Sequence, residues 1–457
     1  MIASINPATG ETLATFAPHT NGEVDARLAL ARQAAVEWRR CTVSERARVL
    51  RQAAALLDEE QDVHARLMTT EMGKLLRAAR DEVAKCALAL RYYADNAAAF
   101  VASDVVLDEP TQRGEVHYQP LGAILAVMPW NFPFWQVMRF AAPALAAGNV
   151  SVLKHASNVP QCALAIESLW ERAGAPRGVF QTLLIESSRV DALIADPRIA
   201  AVTLTGSEGA GRSVAASSGR AIKKAVLELG GSDPFIVGAS ADLASAARAA
   251  VTSRIINNGQ SCIAAKRFFC VEPVAAEFYE RFLAGMRALR VGDPMDPATD
   301  VGPLATRAIR DELHGQVQLT VARGATCVLG GEPVDAPGFY YQPTVLRDVP
   351  NDSPAAADEL FGPVAAFFRV PDMETAIAAA NSSKFGLAAS IWTGDAEEAA
   401  RSAAALECGT VFVNGVVASD PRFPFGGVKA SGYGRELGVW GLRELTNIKT
   451  VRYVGSG

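Results

Sequence analysis

Three side chains of this 457-residue sequence combine into acyl chemistry at carbon: a thiol, a carboxylate and an amide. The thiol is Cys262, in the stretch IINNGQSCIAAKR at 255–267. It follows the small polar turn Asn257-Asn258-Gly259-Gln260 and precedes a run, 263–266, whose composition suits a helix. A sulfur at a helix start feels the positive end of the dipole and unpaired N–H groups, and both favour the nucleophilic thiolate. The competing assignment is the commonest one for a free cysteine, a small buried hydrophobe. Cys41, Cys86, Cys162, Cys270, Cys327 and Cys408 are expected to be that. The carboxylate is Glu228 in VLELGG, at the end of an apolar run and before a Gly-Gly turn. Such surroundings raise its pKa towards that of a general base working near neutral pH. The amide is Asn131 in MPWNFP, a donor for a developing oxyanion.

The strings PWNFP, ELGG, NNGQSC, ELFGP and PFGGVKASGYGRE stand in the order and spacing of the NAD(P)-dependent aldehyde dehydrogenase superfamily. The chain resembles that family from INPATGE at 5–11 to its last strand, and looks most like the short bacterial succinate-semialdehyde dehydrogenases. The resemblance implies an α/β fold with a Rossmann-type cofactor domain (1–101 and 121–230) and an α/β catalytic domain (231–435). A β-hairpin oligomerisation element (102–120 and 436–457) completes it and implies a homodimer or homotetramer.

For the site, the resemblance implies that Cys262 attacks an aldehyde while Asn131 and the Cys262 N–H hold the oxyanion. Glu228 then activates water against the thioester. Cofactor contacts are implied for Trp130, Asn131, Lys154, Ser157, Gly206, Ser207, Glu208, Leu229, Glu359 and Phe361. Arg139 and Ser419 are implied to hold a distant substrate carboxylate. For Arg139 the alternative is a helix arginine paired with a structural carboxylate. Three positions depart from common family residues: Phe140 where many relatives have lysine, Ala264 where some have a second cysteine, and Ile256 where some have a second arginine.

The resemblance implies NADP or NAD as the cofactor, NADP favoured, with Ser157 the discriminating residue. Many NAD-preferring relatives carry glutamate at that position. A carboxylate repels a ribose phosphate, whereas a small hydroxyl leaves room and donates a hydrogen bond. Ser157 is equally suited to cap the helix that follows. The usual GxGxxG is absent, and TGSEGAG at 205–211 is the nearest glycine loop, ahead of a helix start that attracts anions.

The elements that must position these groups follow from periodicity. Segments 23–57 and 63–93 read as two long amphipathic helices, and 105–118 as a hairpin. From 122 to 237 short apolar runs at 123–128, 151–153, 179–184, 200–204 and 225–229 alternate with helical segments, which is βαβ patterning on a parallel sheet. Asn131, Lys154 and Gly206 fall just after expected strands, where such sheets bind ligands. Helix is expected again at 242–257 and 275–289, and strand at 268–271 and 360–368.

A net charge of −5 offers no basic field for nucleic acid or acidic membranes. Seven scattered cysteines without CxxC pairs and five isolated histidines imply a reducing compartment and no metal centre. The start lacks the pattern of a secretory signal, so the expected location is the cytoplasm. The uncharged stretch 118–138 contains Pro120, Pro129 and Pro133, which argues against a membrane helix. Two further readings of the thiol are weaker. A non-redox hydrolase or transferase has no use for Lys154, Glu359 and Phe361, and a CoA-acylating enzyme none for Glu228.

Overall fold

The computed structural model describes residues 1–455, and the alternation expected from residue 122 onward appears as two sheets. The first has six strands in the order Gly432–Tyr433, Lys224–Glu228, Ile199–Thr205, Ala123–Met128, Val150–His155 and Phe180–Thr182. All neighbours are parallel except the short edge strand Gly432–Tyr433. The second has seven strands: Thr326–Leu329, Thr344–Arg347, Val364–Val370, Ala265–Val271, Asp233–Val237, Ala388–Trp392 and Thr410–Val413. Only its edge strand Thr326–Leu329 runs antiparallel. Buried parallel strands such as Ala123–Met128 read as continuous apolar runs because helices cover both faces.

A third, antiparallel sheet orders Thr446–Val454, Gln112–Pro120 and Asp104–Glu109. The hairpin expected at 105–118 is its core. The helix Gly438–Glu444 packs instead on the helix Trp135–Ala147 and adds Leu442 to the first core. The strand that pairs with the hairpin begins at Thr446, and Ser456 and Gly457 lie outside the described residues.

Each of the two long helices expected near the start is broken in two. The segment 23–57 is Asn21–Trp38 and Val43–Glu59, separated where Thr42 opens a capping box. The Thr42 hydroxyl accepts from Glu45 N at 3.2 Å and Glu45 accepts from Thr42 N at 2.7 Å. The segment 63–93 is Gln61–Met72 and Leu76–Phe100, broken at Gly73, whose φ is +79°. A Cβ there would lie 2.8 Å from the Pro303 side chain, so the turn needs glycine twice over.

The stretch 118–138 divides into strand, loop and helix, and no described helix is long and apolar enough to cross a membrane. Its helix, Trp135–Ala147, is buried along its whole length and has no side-chain cap of its own. The cap comes from another helix. Glu82 accepts from Phe134 N and Trp135 N, each at 2.9 Å, through one oxygen. Its second oxygen pairs with the buried Lys74 ammonium. A carboxylate at this helix start satisfies orphan donors and the dipole together, and Lys74 balances its charge. This is the joint that fixes the loop carrying Asn131.

Removing one member leaves the other as an uncompensated buried charge. Glu82→Ala should lower the stability of the unfolding transition that includes the first sheet by about 3–5 kcal/mol. A urea titration monitored by tryptophan fluorescence measures it. The double variant Lys74→Met/Glu82→Gln should recover much of that loss.

Candidate active site

The helix Leu243–Ile255 runs into a 3-10 turn, Ile256–Gly259, in which Asn257 (φ 53°) and Asn258 (φ 59°) are both left-handed. Asparagine tolerates this region better than other non-glycine residues. Their amides then bind three other segments. Asn257 Nδ2 donates to Asn131 O at 2.6 Å and to Gln260 O at 3.1 Å. Asn258 Nδ2 donates to Gly73 O at 2.9 Å and Pro303 O at 3.1 Å, and its Oδ1 accepts from Gly302 N at 2.8 Å. Gln260 Oε1 accepts from Ala305 N at 2.8 Å.

Cys262 does not open a helix. The run 263–266 turns directly into the strand Ala265–Val271, and no helix begins at the thiol. What stands in its place is Lys266. Its buried ammonium donates to Ser261 O at 2.7 Å and Cys262 O at 2.6 Å. The thiol is nevertheless pushed up to about 12 by burial, with Lys266 and then Arg139 opposing and Glu359 and Asp233 adding.

Asn131 is 4% exposed, and its Nδ2 donates to Gln260 O at 3.1 Å. A primary amide has two N–H groups, so one anchors the side chain while the other remains for an oxyanion. The Cys262 N–H makes no hydrogen bond among the described residues. Glu228 ends the strand Lys224–Glu228, is buried, and has neither carboxyl oxygen hydrogen-bonded. Burial holds its pKa well above the ordinary carboxylate range, with the neighbouring Glu436 adding and Arg139 and Arg435 opposing.

A cleft of about 430 Å³ opens between the two large sheets, with Cys262 on its wall. Trp130, Asn131, Gly206, Ser207, Glu208, Leu229, Glu359 and Phe361 all line it. Ser207 caps the helix Glu208–Arg220 by accepting from Ala210 N at 3.4 Å. Glu208, an acid at a helix start meant for an anion, is neutralised by Arg212 at 2.8 Å and Lys384 at 3.2 Å. Glu359 accepts from Gly231 N at 3.1 Å and faces the Lys266 ammonium at 3.3 Å. Any side chain on Gly230 would collide with that carboxylate. Phe361 meets Trp130 edge-on, with centroids 5.7 Å apart.

Lys154 and Ser157 do not line this cleft. Lys154 sits near the end of the strand Val150–His155, next to Ala123–Met128, and is 7% exposed. It forms no hydrogen bond with its ammonium and no ion pair among the described residues, and burial lowers its pKa. Ser157 lies exposed in the turn beyond it and caps nothing. The start of the helix Pro160–Arg172 is served by Glu71, which accepts from Gln161 N at 3.0 Å and Cys162 N at 2.8 Å. An unpaired buried ammonium and an exposed hydroxyl close to it in the chain suit a dinucleotide bearing phosphates.

Arg139 is in its alternative arrangement. It is 2% exposed and lies against the Glu436 carboxylate through Nε, an ion pair without hydrogen-bond alignment. Its Nη2 donates to Thr205 Oγ1 at 3.2 Å, and Phe425 lies 4.7 Å below the guanidinium. The substrate role expected for Arg139 is therefore met by a guanidinium already paired. Ser419 is buried and accepts from Lys85 Nζ at 2.8 Å.

Several residues of the site carry no signal in the sequence reading. Glu436 and Lys266 sit inside the quoted motifs without an assigned role. Ile309, Glu312, Leu313 and Gln316 line the cleft from the helix Arg307–Ala322. Their i, i+3, i+4, i+7 spacing is the available clue to a shared face.

The aldehyde dehydrogenase family model matches residues 1–451. A succinate-semialdehyde dehydrogenase (NADP+) of Mycobacterium avium is 53% identical over 463 residues, covering 100% of this chain and 97% of that protein. A probable enzyme of the same name from a Synechocystis species is 54% identical over 450 residues, covering 98% and 99%. Among solved structures, the succinic semialdehyde dehydrogenase of Streptococcus pyogenes in complex with NADP+ superposes with a TM-score of 0.97. It is 38% identical, and the match covers 100% of each chain.

With its thiol raised to about 12, Cys262 is protonated at neutral pH and must ionise to react. Alkylation by iodoacetamide in the cofactor-free protein should therefore be slow at pH 7 and keep rising past pH 9. Peptide-resolved mass spectrometry reads it. Rapid labelling of Cys262 at pH 7 would mean that the thiolate is already populated.

Proposed function

The chain belongs to the aldehyde dehydrogenase family, and on that premise we propose that it oxidises succinate semialdehyde to succinate with NADP+. The observation that carries the reaction is the meeting on one cleft of Cys262 and Asn131, an amide with a spare N–H, while the strand that ends in the buried Glu228 reaches the same cleft through Leu229 and Gly230. The diacid product and the NADP+ preference draw on the named relatives, which share half of this sequence over its full length.

The residues of this chain divide the work as follows. Cys262 loses its proton and attacks the aldehyde carbon, forming a thiohemiacetal. The oxyanion meets the second N–H of Asn131 and the free N–H of Cys262, donors already fixed in place before reaction. Lys154, Ser157, the start of the helix Glu208–Arg220, Glu359 and Phe361 would hold the dinucleotide, which when bound supplies the hydride acceptor. Glu228 then takes a proton from water, which attacks the thioester and releases the acid. Arg139 contributes through its field and through Glu436, since both carboxyls feel the same guanidinium.

The assembly we propose is a homodimer or homotetramer built on the three-stranded sheet. Its strands expose Val105, Val106, Ile448, Tyr453 and Val454, apolar side chains that a partner subunit would cover. A cytoplasmic location accords with seven cysteines left free.

Glu228→Gln should retain a burst of reduced cofactor and then turn over roughly 10²–10⁴-fold more slowly, because deacylation loses its base. In the native enzyme the steady-state rate should climb with pH. A carboxyl held above its usual range stays protonated at mildly acidic pH and cannot accept a proton from water. That rising limb should be missing from the glutamine variant. Loss of the burst as well would assign Glu228 an earlier role.

Ser157→Glu should move preference from NADP+ towards NAD+. A carboxylate about 4 Å from the ribose phosphate costs ~1–4 kcal/mol depending on local dielectric. The ratio of kcat/KM for the two cofactors measures it, and an unchanged ratio would mean that another residue reads the phosphate.

A further inference from the structure

We propose that Lys266 is the positioning residue of the oxyanion hole. By gripping the carbonyls on either side of the Cys262 Cα, it fixes the peptide group whose N–H receives the substrate oxygen. The inference rests on the reading of Cys262 as the nucleophile and of its own N–H as an oxyanion donor.

Residues 260–264 lie between a 3-10 turn and a strand and belong to neither. No ladder of hydrogen bonds therefore holds their peptide groups. The decisive one is the Ser261–Cys262 peptide, which carries the Ser261 carbonyl and the Cys262 N–H on one rigid plane. No described peptide bond is cis, so this C=O and N–H point in opposite directions. Among the described residues, the one backbone group bonded to Ser261 O is Ala264 N, at 3.2 Å. Lys266 Nζ donates to the same oxygen at 2.7 Å. Drawing the oxygen towards the ammonium turns the Cys262 N–H the other way, and that N–H makes no hydrogen bond among the described residues. A cation on the carbonyl also polarises the amide, which strengthens its N–H as a donor.

The same ammonium donates to Cys262 O at 2.6 Å, in the next peptide group. With the planes on both sides of the Cys262 Cα held by one group, the direction of its Cβ is fixed as well. Donor and sulfur are thus aimed together. Gly231 pins the Cys262 carbonyl from another side, since a Cβ there would lie 2.8 Å from that oxygen. The third oxygen near the ammonium belongs to Glu359, at 3.3 Å, which accepts from Gly231 N at 3.1 Å. Three N–H groups therefore meet three oxygens. Lys266 is 0% exposed and does not line the cleft, so it works through the Cys262 backbone. Arg267 turns to the opposite face of the strand and donates to Ser232 O, Ala379 O and Ala380 O.

Two reagents applied to the full-length protein at the same pH separate the aim of the N–H from the charge beside the thiol. Iodoacetamide alkylates Cys262 by displacing iodide from a saturated carbon, which needs the thiolate and no oxyanion donor. Para-nitrophenyl acetate acylates it by addition to a carbonyl. The sulfur bonds to carbon, the oxyanion forms, and its collapse expels para-nitrophenolate. Peptide-resolved mass spectrometry confines both rates to Cys262.

Lys266→Met should slow both reactions, because a cation that favours the thiolate is gone. Acylation should fall roughly 10–100-fold more than alkylation. That excess is smaller than the roughly 10²–10³-fold cost of removing an oxyanion donor, because the N–H persists and loses only its aim. Lys266→Gln, with an uncharged head one bond shorter, should show the same excess and replaces the methionine variant if that one does not fold. Lys266→Arg should recover the alkylation rate and part of the acylation rate, since it keeps the charge with a different donor geometry. An acylation loss no greater than the alkylation loss in the uncharged variants would overturn the role of Lys266 in the oxyanion hole. If the native protein is not acylated at Cys262, the reading of the nucleophile fails first, and the role of Lys266 with it. Neither reagent involves NADP+ or a semialdehyde, so the result does not depend on the identity of the substrate.

Discussion

A thiol can be aimed only if the chain behind it is held still, and here that is done by two consecutive asparagines in left-handed backbone. Each such residue costs roughly 1–2 kcal/mol relative to ordinary helical geometry. The cost is offset because the same asparagines place their amides where buried carbonyls need donors. Asn257 donates to Asn131 O and Asn131 donates back to Gln260 O, so nucleophile loop and oxyanion donor form one reciprocal unit. Asn258 extends that unit to Gly73 and Pro303. The break in the helical segment at Gly73 is thereby part of the site, although it lies far from Cys262 in sequence.

The charges of the site follow from how little water reaches them. Three buried cations have close carboxylates: Lys74 with Glu82, Arg139 with Glu436, and Lys266 with Glu359. The two reacting acids, Cys262 and Glu228, have none dedicated to them. Burial therefore holds both in their neutral forms. A resting site of this kind protects a thiol from stray electrophiles and makes ionisation part of the reaction. Lys266 is suited to assist, since it grips the carbonyl of Cys262 while also facing Glu359 on the cofactor cleft.

What the sequence reveals depends on whether the physics is local. Several cleft residues sit in loops just after strands, where glycine and polar residues interrupt apolar runs, so the positions of Asn131, Gly206 and Leu229 are legible, whereas Glu359, ahead of the strand Val364–Val370, is picked out only by the family resemblance. The helix break at Thr42 was also local, since TVSE is a capping-box pattern, but the alanine-rich flanks on both sides sustain one helical period across it. Cys262 shows the opposite case. Ile-Ala-Ala-Lys fits helix or strand equally, and the choice is made by Lys266 folding back on two carbonyls, which no pattern announces. The partners of Arg139 and Lys85 are Glu436 and Ser419, joined only by the tertiary fold. An arginine at the right spacing is legible, whereas the carboxylate that already occupies it is not.

The division of the site between two sheets gives a physical reason for that illegibility. Asn131, Glu228 and Arg139 belong to the first sheet and its helices, while Cys262, Glu359 and Phe361 belong to the second and its loops. Each group is aimed by its own strand or helix end, but its partner comes from the facing body. The segment 424–436 crosses back from the second sheet to the first, where Gly432 pairs with Glu228 and Glu436 reaches Arg139. One returning stretch thus closes the pocket of the base and neutralises the cation beside it. A change that loosened this segment would disturb Glu228 and Arg139 together. The charge balance around the base and the fold of the C-terminal region are for that reason a single constraint.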